Sequence, residues 1–435
     1  MSLSKKKILI YSPGKNILHR DLVDSNFYSF LNKSFDITWI FPEEPSEQFK
    51  KQKIKNYKVI KEEQNHRLMV WTFLYYLGEL KVCSFWKWPN LNTKLYLSKK
   101  LKFLINAIYN LKFDFFLKYI LKIYLNYTFK KFNFFKEYNI FLTFNGGKDS
   151  FNDDLMRNAK RFNLFTIHVP AGWDNIGSKP IFIKPDKILV WGNQTKYLCK
   201  QLHKINPIVF GTARFELLKN NKVTKKKALN KLGLSSRYKY ILVAGSGVAF
   251  NEMKLINRTI NYLNKNKLFN YKIIFRPHPH AQKRYNDEKI DFKTNPRVLL
   301  DPTIKRNYRL KDYPYLMSSM EGIITPYSTT IFEALSYNLP CLAVGYNEEN
   351  RIIFNWKSFV INSPHLRVLK NRKFIISCLD SEDLELKLSS FLKLIKVNHK
   401  YNTKRQKFLD NVILNSKDSY NNRMKKLILG IKHDK

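Results

Sequence analysis

Short apolar runs alternate with helix-patterned segments along this chain, and the alternation occurs in two separate stretches. Ile8 to Tyr11 reads as a strand, residues from about Arg20 to Leu31 as a helix, and Phe35 to Phe41 as a second strand. Parallel neighbours need a connection long enough to hold a helix, so this β-α-β rhythm calls for a parallel sheet with helices on its faces. The rhythm returns at Ile140 to Phe144, Asp153 to Phe162 (helical), Leu164 to Val169 and Lys187 to Trp191. After a helical stretch from Lys225 to Leu232 a fresh run begins, with strands at Tyr240 to Ala244, Lys272 to Phe275, Val298 to Leu300, Gly322 to Ile324 and Cys341 to Val344. A chain of 435 residues exceeds what one core usually supports. Two α/β domains follow, at 1–222 and 223–386, with the boundary near Asn220 to Thr224. The segment 387–435 reads as basic and helical and could pack back on the first domain.

Residues from about Leu68 to Lys136 interrupt the first run. They are dense in lysine and in aromatics, among them Phe113, Phe115, Phe116, Tyr119, Tyr124, Tyr127, Phe129, Phe132, Phe134 and Phe135, and read as a helical insertion. Lys118 and Lys122 share one helical face beside Leu117, Ile120, Leu121 and Tyr124, and Asp114 is the only acid from Leu101 to Lys136. A helix of this kind can lie on an anionic membrane surface, or its aromatics can be core. No run approaches the roughly 18 apolar residues needed to cross a bilayer. The apolar stretch after Lys5-Lys6-Lys7 is too short for a signal peptide, so a cytoplasmic protein is expected, peripheral on the inner membrane face if the insertion binds lipid.

Cys83, Cys199, Cys341 and Cys378 are far apart and form no C-x-x-C pair, which disfavours a disulfide framework and a structural zinc site and fits a reducing compartment. The formal charge of +44, from 78 Lys and Arg against 34 Asp and Glu, favours polyanions: nucleic acid, anionic lipid or phosphorylated small molecules. Biased codon usage accounts for part of that excess, and charge alone does not choose among the three.

Three segments at strand ends carry chemistry. Gly245-Ser246-Gly247 follows one strand and precedes a helix, a place where backbone N–H groups can approach a phosphate, although such a turn is often only a turn. Arg276-Pro277-His278-Pro279-His280 sets a guanidinium and two imidazoles at a sheet's carboxyl edge, where Arg276 can grip phosphate and His278 can donate to it or protonate a leaving oxygen. No third ligand stands at a familiar spacing from the two histidines, so no metal site is expected. Thr325-Pro326-Tyr327-Ser328-Thr329-Thr330 opens a helix in which Glu333 could close a capping box or hold the vicinal hydroxyls of a ribose.

Arg276-Pro277-His278-Pro279 followed by Ser328-Thr329-Thr330-x-x-Glu333-Ala334-Leu335-x-x-Asn338-x-Pro340 resembles the donor half of GT-B glycosyltransferases of capsule, lipopolysaccharide and teichoic-acid-type biosynthesis. Ala171-Gly172-Trp173-Asp174-Asn175, Val190-Trp191-Gly192 and Gly211-Thr212-Ala213-Arg214-Phe215-Glu216 are similar to segments of surface-carbohydrate biosynthesis proteins, the last with Glu where the family carries Asp. The resemblance runs from about His168 to Val344; nothing before about Ile140 matches. It implies two Rossmann-like domains facing across a cleft, a nucleotide-sugar donor, a glycan or lipid-linked acceptor, and no cofactor or metal. The donor would lie against Gly245, Ser246, Gly247, Arg276, His278, Ser328, Thr329 and Thr330, with Glu333 on the ribose. Asp174 would be the base that takes the acceptor's proton, with Trp173 and Asn175 on the sugar. Gly14 and His19, with Asp21, are weaker acceptor-side candidates after the first strand.

Three other readings stand beside this one. A sugar-nucleotide epimerase shares the same two-domain fold. Asn145-Gly146-Gly147-Lys148-Asp149-Ser150 resembles the pyrophosphate-gripping loop of adenylating enzymes, but begins with Asn and lies mid-chain. The charge and interleaved aromatics suit a nucleic-acid surface, although no recognisable nucleic-acid motif is present and no specific nucleic-acid partner is expected.

Overall fold

A computed structural model describes residues 6–12, 17–61, 66–86, 107, 114–247, 250–278, 295–304, 309–348 and 355–431. The chain divides into two compact units, one of residues 1–214 with 412–435 and one of residues 215–411.

The first unit is built on β1 (Lys7–Tyr11), β2 (Asp36–Phe41), β3 (Tyr57–Val59), β4 (Ile140–Asn145), β5 (Phe165–Pro170), β6 (Lys187–Val190) and β7 (Ile208–Val209). They form one sheet in the order β3-β2-β1-β4-β5-β6-β7, with every pairing parallel. Successive residues of β1 serve opposite faces, as the two-residue strand period requires. Ile8 and Ile10 join Phe27, Tyr28, Trp39 and Phe144 in one cluster, while Leu9 and Tyr11 join Phe141, Phe151 and Leu155 in another. Both faces are covered, which is why these strands read as continuous apolar runs.

The helix Tyr420–Leu429 belongs to the first of those clusters through Tyr420, Met424 and Ile428. Each such side chain contributes about 1.5–3 kcal/mol by burial. Lys6 fixes the end of this helix by donating from its Nζ to the carbonyls of Ile428 and Leu429, both at 3.0 Å.

The second unit carries β8 (Lys239–Ala244), β9 (Tyr271–Arg276), β10 (Val298–Leu300), β11 (Met320–Pro326), β12 (Cys341–Val344) and β13 (Ile375–Cys378). Their order is β10-β9-β8-β11-β12-β13, again all parallel. In both sheets the strand order reverses direction once, between β1 and β4 and between β8 and β11. Chains leave in opposite directions at such a point, opening a crevice at the strands' carboxyl ends.

The expected helix from Arg20 to Leu31 is two helices, Ile17–Asp24 and Phe27–Asn32. Asn26 separates them in the left-handed conformation, at φ 55°, which Asn tolerates better than most residues. The insertion supplies the helices His66–Phe85 and Asp114–Thr128, which pack together through Leu74, Leu77, Leu117, Leu121 and Leu125. Its aromatics divide between the two roles considered for them. Phe135 is core, with Phe132 and Phe134 packed against it, whereas Phe116, Tyr119, Tyr124 and Tyr127 are exposed. Phe113 and the side chain of Phe115 lie outside the described residues. No helix among the described residues is long and apolar enough to cross a membrane.

Candidate functional site

In the second unit the three strand-end segments converge on the crevice between β8 and β11. His278 lies over the turn after β8: a Cβ placed on Gly247 would stand 3.0 Å from the imidazole Cε1 and 3.3 Å from each ring nitrogen. A side chain at 247 would therefore make the imidazole give way by a few tenths of an ångström. Ser328, Thr329 and Thr330 are half-buried at the start of the helix Thr330–Ser336. Thr329 makes no side-chain cap, so the hydroxyls there are not absorbed in a capping box. Glu333 is buried, and its charge acts on Arg276.

Two amides of the Gly245-Ser246-Gly247 turn are engaged within the protein. The Gly245 N–H donates to the Arg276 carbonyl at 2.8 Å, continuing the β8–β9 ladder. The Ser246 N–H donates to Glu252 Oε1 at 2.9 Å. Neither is therefore offered to a phosphate, contrary to the expectation for Gly245 and Ser246. Glu252, in the first turn of the helix Glu252–Lys265 and buried, was not singled out from the sequence.

Arg276 is also committed internally. It is buried, donates to the Asp301 carboxylate and to Thr303 Oγ1 at 2.9 Å, and stacks on Tyr313 with its guanidinium carbon 4.6 Å from the ring centre. Asp301 in turn accepts the Thr303 N–H at 2.8 Å. Burial works against the guanidinium's charge, but Tyr313, Asp301 and Glu333 override that penalty and hold its pKa above the ordinary value. Arg276 is thus closed in an ion pair with Asp301, with the Glu333 charge near, rather than forming the bidentate clamp expected of it. His280 lies outside the described residues.

In the first unit, Gly14 lies outside the described residues. His19 is a core residue. Its Nδ1 meets the Tyr28 hydroxyl at 2.8 Å and its Nε2 the Ser46 hydroxyl at 2.9 Å, among Phe41 and Phe49. Burial pushes its pKa down to about 4, so the ring is neutral and both nitrogens are taken. Asp21 pairs with Arg20 at 2.7 Å and with Arg214 Nε at 2.7 Å, which ties the G-x-x-R-F-E segment to the helix after β1.

Beyond β5, Trp173 is 2% exposed and donates its indole N–H to Gln194 Oε1 at 2.7 Å. An enclosed ring of this kind presents no face for a sugar, which corrects the expectation. Asn175 accepts the Gly172 N–H with its side-chain oxygen and shapes the loop. Asp174 is half-buried and lies over Gly172, where an added Cβ would come 2.7 Å from its Oδ1. From the insertion, Tyr75 lies close enough to Asp174 to feel its charge, and Trp86 donates its indole N–H to the Gly177 carbonyl at 2.9 Å. Lys148 donates to the Tyr76 hydroxyl at 2.9 Å, and Lys179 pairs with Glu79 at 3.4 Å. Burial first, then Glu79, Tyr76 and Asp174, push the Tyr75 phenol above its usual range.

The Asn145–Ser150 loop sits at the β1/β4 switch point, but its groups are engaged. Asp149 caps the helix Ser150–Arg161 by accepting the Asn152 N–H at 2.9 Å and also accepts the Tyr11 hydroxyl at 2.7 Å. Among the described residues no three His, Cys, Asp or Glu side chains gather as a metal would need.

No protein-family model matches the chain, and no curated protein matches it in sequence. Solved structures are similar in architecture over nearly its whole length. The UDP-GlcNAc 2-epimerase of Methanocaldococcus jannaschii superposes with a TM-score of 0.54 at 14% identity, covering 98% of this chain and 100% of that one. A glycosyltransferase from Rickettsia africae gives 0.53 at 12%, covering 99% and 100%. HepE from Anabaena, in complex with UDP and glucose, gives 0.52 at 11%, covering 98% and 100%. The fold is GT-B. In this GT-B chain the two parallel sheets are its two Rossmann-like domains, as the motif resemblance implied. At these identities the likeness is one of fold.

Proposed function

We propose that this chain is a glycosyltransferase that moves a sugar, or a phosphosugar or polyol phosphate, from an activated nucleotide onto a growing surface polysaccharide or lipid-linked glycan. The observation that carries the reading is the β8/β11 crevice, whose strand ends bring His278 against Gly247 and carry the Ser328–Thr330 hydroxyls and the buried Glu333, whose charge acts on Arg276. UDP appears with HepE among the structures of like fold, which supports a nucleotide donor.

In this reading Glu333 accepts hydrogen bonds from the ribose hydroxyls, and the hydroxyls of Ser328, Thr329 and Thr330 donate to the phosphates. The acceptor hydroxyl attacks the donor's reacting atom, carbon when a sugar moves and phosphorus when a phosphosugar or polyol phosphate moves, while Asp174 takes its proton and the bond from that atom to the leaving phosphate oxygen breaks. His278 donates to that oxygen and, with the hydroxyls of Ser328, Thr329 and Thr330, stabilises the charge left on it. Asp174 is assigned this role as the carboxylate of the loop that Trp173 and Asn175 hold in place.

The same reading sets the protein on the cytoplasmic face of an anionic membrane, and the helix Asp114–Thr128 supports it. Phe116, Tyr119, Ile120, Ile123, Tyr124 and Tyr127 recur at three- and four-residue steps along its outer side and are 39–80% exposed. Burial and then the charges of Lys81, Lys118 and Arg157 lower the Lys122 pKa, so cations gather beside the apolar stripe. An apolar stripe flanked by cations is what an interfacial helix needs.

The test is nucleotide release from nucleotide sugars, with and without membrane-extracted acceptor. Acceptor-dependent release that falls by about 10²-fold or more in Asp174→Asn supports transfer with a general base. Interconversion of the free nucleotide sugar without release would make the chain an epimerase instead.

A further inference from the structure

Tyr327 stands between β11, which ends at Pro326, and the hydroxyls of Ser328, Thr329 and Thr330. It is 6% exposed, and its phenol donates to Ser377 Oγ at 2.8 Å. Ser377 belongs to β13, and β12 lies between β11 and β13 in the sheet. Two strand spacings amount to roughly 9–10 Å, so the bond needs both side chains to reach over β12. The ring passes at Gly345, the first residue after β12, where an added Cβ would stand 3.2 Å from Tyr327 Cε2.

The three strands are already joined by their own ladders, which run as far as Pro326 beside Val344 and Val344 beside Cys378. The chain beyond Pro326 lies outside those ladders. There the Ser328 carbonyl accepts the Ile331 N–H at 3.2 Å and the Thr329 carbonyl the Phe332 N–H at 3.0 Å, which gives the turn its shape. Its place over the sheet needs bonds to the strands. Thr325 Oγ1 meets Ser328 Oγ at 3.3 Å, and the shorter Tyr327–Ser377 bond reaches the far strand, so the turn is held from two sides.

Phenylalanine would bury the same ring without a hydroxyl that has to find a partner, so burial alone does not account for tyrosine here. What the hydroxyl adds is direction. Burial raises the phenol's pKa against the pull of the Ser377 bond, and the group stays a protonated donor.

We propose that Tyr327 is a positioning residue of the β8/β11 crevice: by reaching across β12 to Ser377 it fixes the turn that presents Ser328, Thr329 and Thr330. That these hydroxyls meet the donor's phosphates rests on the glycosyl-transfer reading above; that Tyr327 fixes their turn does not.

Tyr327→Phe and Ser377→Ala each remove the bond, Ser377→Thr keeps it, and the double variant Tyr327→Phe with Ser377→Ala shows whether the two act through one contact. Hydrogen exchange of the free, full-length chain reads the turn, and calorimetry with UDP-, GDP-, CDP- and CMP-linked sugars reads the site. In both single variants the amides of Ile331, Phe332 and Glu333 should exchange about fivefold or more faster, and the nucleotide sugar that wild type binds should bind about fivefold or more weakly. The double variant should lose no more than either single one, because a shared contact is lost only once, and Ser377→Thr should match wild type. A melting temperature lowered by about 2–4 °C, the contribution of one hydrogen bond in a domain of this size, with exchange unchanged at the turn would make the bond a structural one and overturn the proposal. Losses that add in the double variant would overturn it too, as would equal affinity in wild type and all variants. If exchange rises as expected and no nucleotide sugar binds wild type, the anchor stands and the donor reading falls.

Discussion

The guanidinium of Arg276 and the carboxylate of Asp301 form a buried ion pair, with the ring of Tyr313 stacked on the guanidinium. Removing one partner of such a pair leaves an uncompensated charge in the interior, a larger loss than replacing both by apolar groups. Arg276→Met should therefore destabilise the second unit by about 3–5 kcal/mol, and Arg276→Met with Asp301→Leu should recover much of that. Thermal unfolding of the three proteins decides it. A single-variant loss under about 1 kcal/mol would mean that the pair is solvated and Arg276 is available to a ligand.

His278 depends on the absence of a side chain at 247. Gly247→Ala should push the imidazole aside with little change in melting temperature, because the atoms it meets belong to a side chain rather than to backbone. Turnover with nucleotide sugar should fall about tenfold or more if His278 acts on the leaving oxygen. Equal turnover in Gly247→Ala and wild type would remove His278 from the chemistry.

Burial pushes the imidazoles of His19, His168 and His203 down to about 4. Unfolded, the same rings titrate near 6.5, so between these values the unfolded chain binds more protons than the folded one. Their stabilisation is complete above about pH 6.5 and is lost as pH falls towards 4. Asp153 acts the other way, because burial raises it to about 6 and the folded state holds its proton longer. Burial raises Asp149 and Asp154 as well, so three carboxyls oppose the three imidazoles and the test is the change that one variant makes. Relative to wild type, His19→Gln should remove about one proton from the acid-side loss of melting temperature between pH 6.5 and 4; an unchanged slope would show that His19 is already solvated.

Vesicles of phosphatidylglycerol and phosphatidylcholine should pellet the protein, and Tyr119→Ser with Tyr127→Ser should abolish most of that binding without loss of fold, since both rings are largely exposed. Salt should weaken the remainder, because the neighbouring lysines act through screened charge. Equal pelleting of wild type and the double variant would show that the stripe is not the contact.

Much of the architecture could be read from the chain because parallel strands covered on both faces leave runs such as Ile241-Leu242-Val243 that only a buried strand explains. The strands not anticipated, Tyr57–Val59, Ile208–Val209 and Ile375–Cys378, are short edges with too few residues to carry a period. The segments around Gly247, His278 and Ser328 were legible because glycines, hydroxyls and imidazoles gathered just after apolar runs stand out at strand ends. Their partners were not. Glu252 and Asp301 are known only once the fold brings them to Ser246 and Arg276. Nor does sequence say whether an aromatic or imidazole beside a motif faces a ligand or the core, and both Trp173 and His19 turned inward.

The central claim is a nucleotide-sugar site in the second unit, and direct titration by calorimetry tests it. UDP-, GDP-, CDP- and CMP-linked sugars and ATP should be compared on wild type, Glu333→Gln and Asp174→Asn. One nucleotide sugar should bind wild type and Asp174→Asn alike and bind Glu333→Gln about tenfold or more weakly, the loss of a charged hydrogen bond to ribose. Binding of ATP alone, unaffected by Glu333→Gln, would contradict the account.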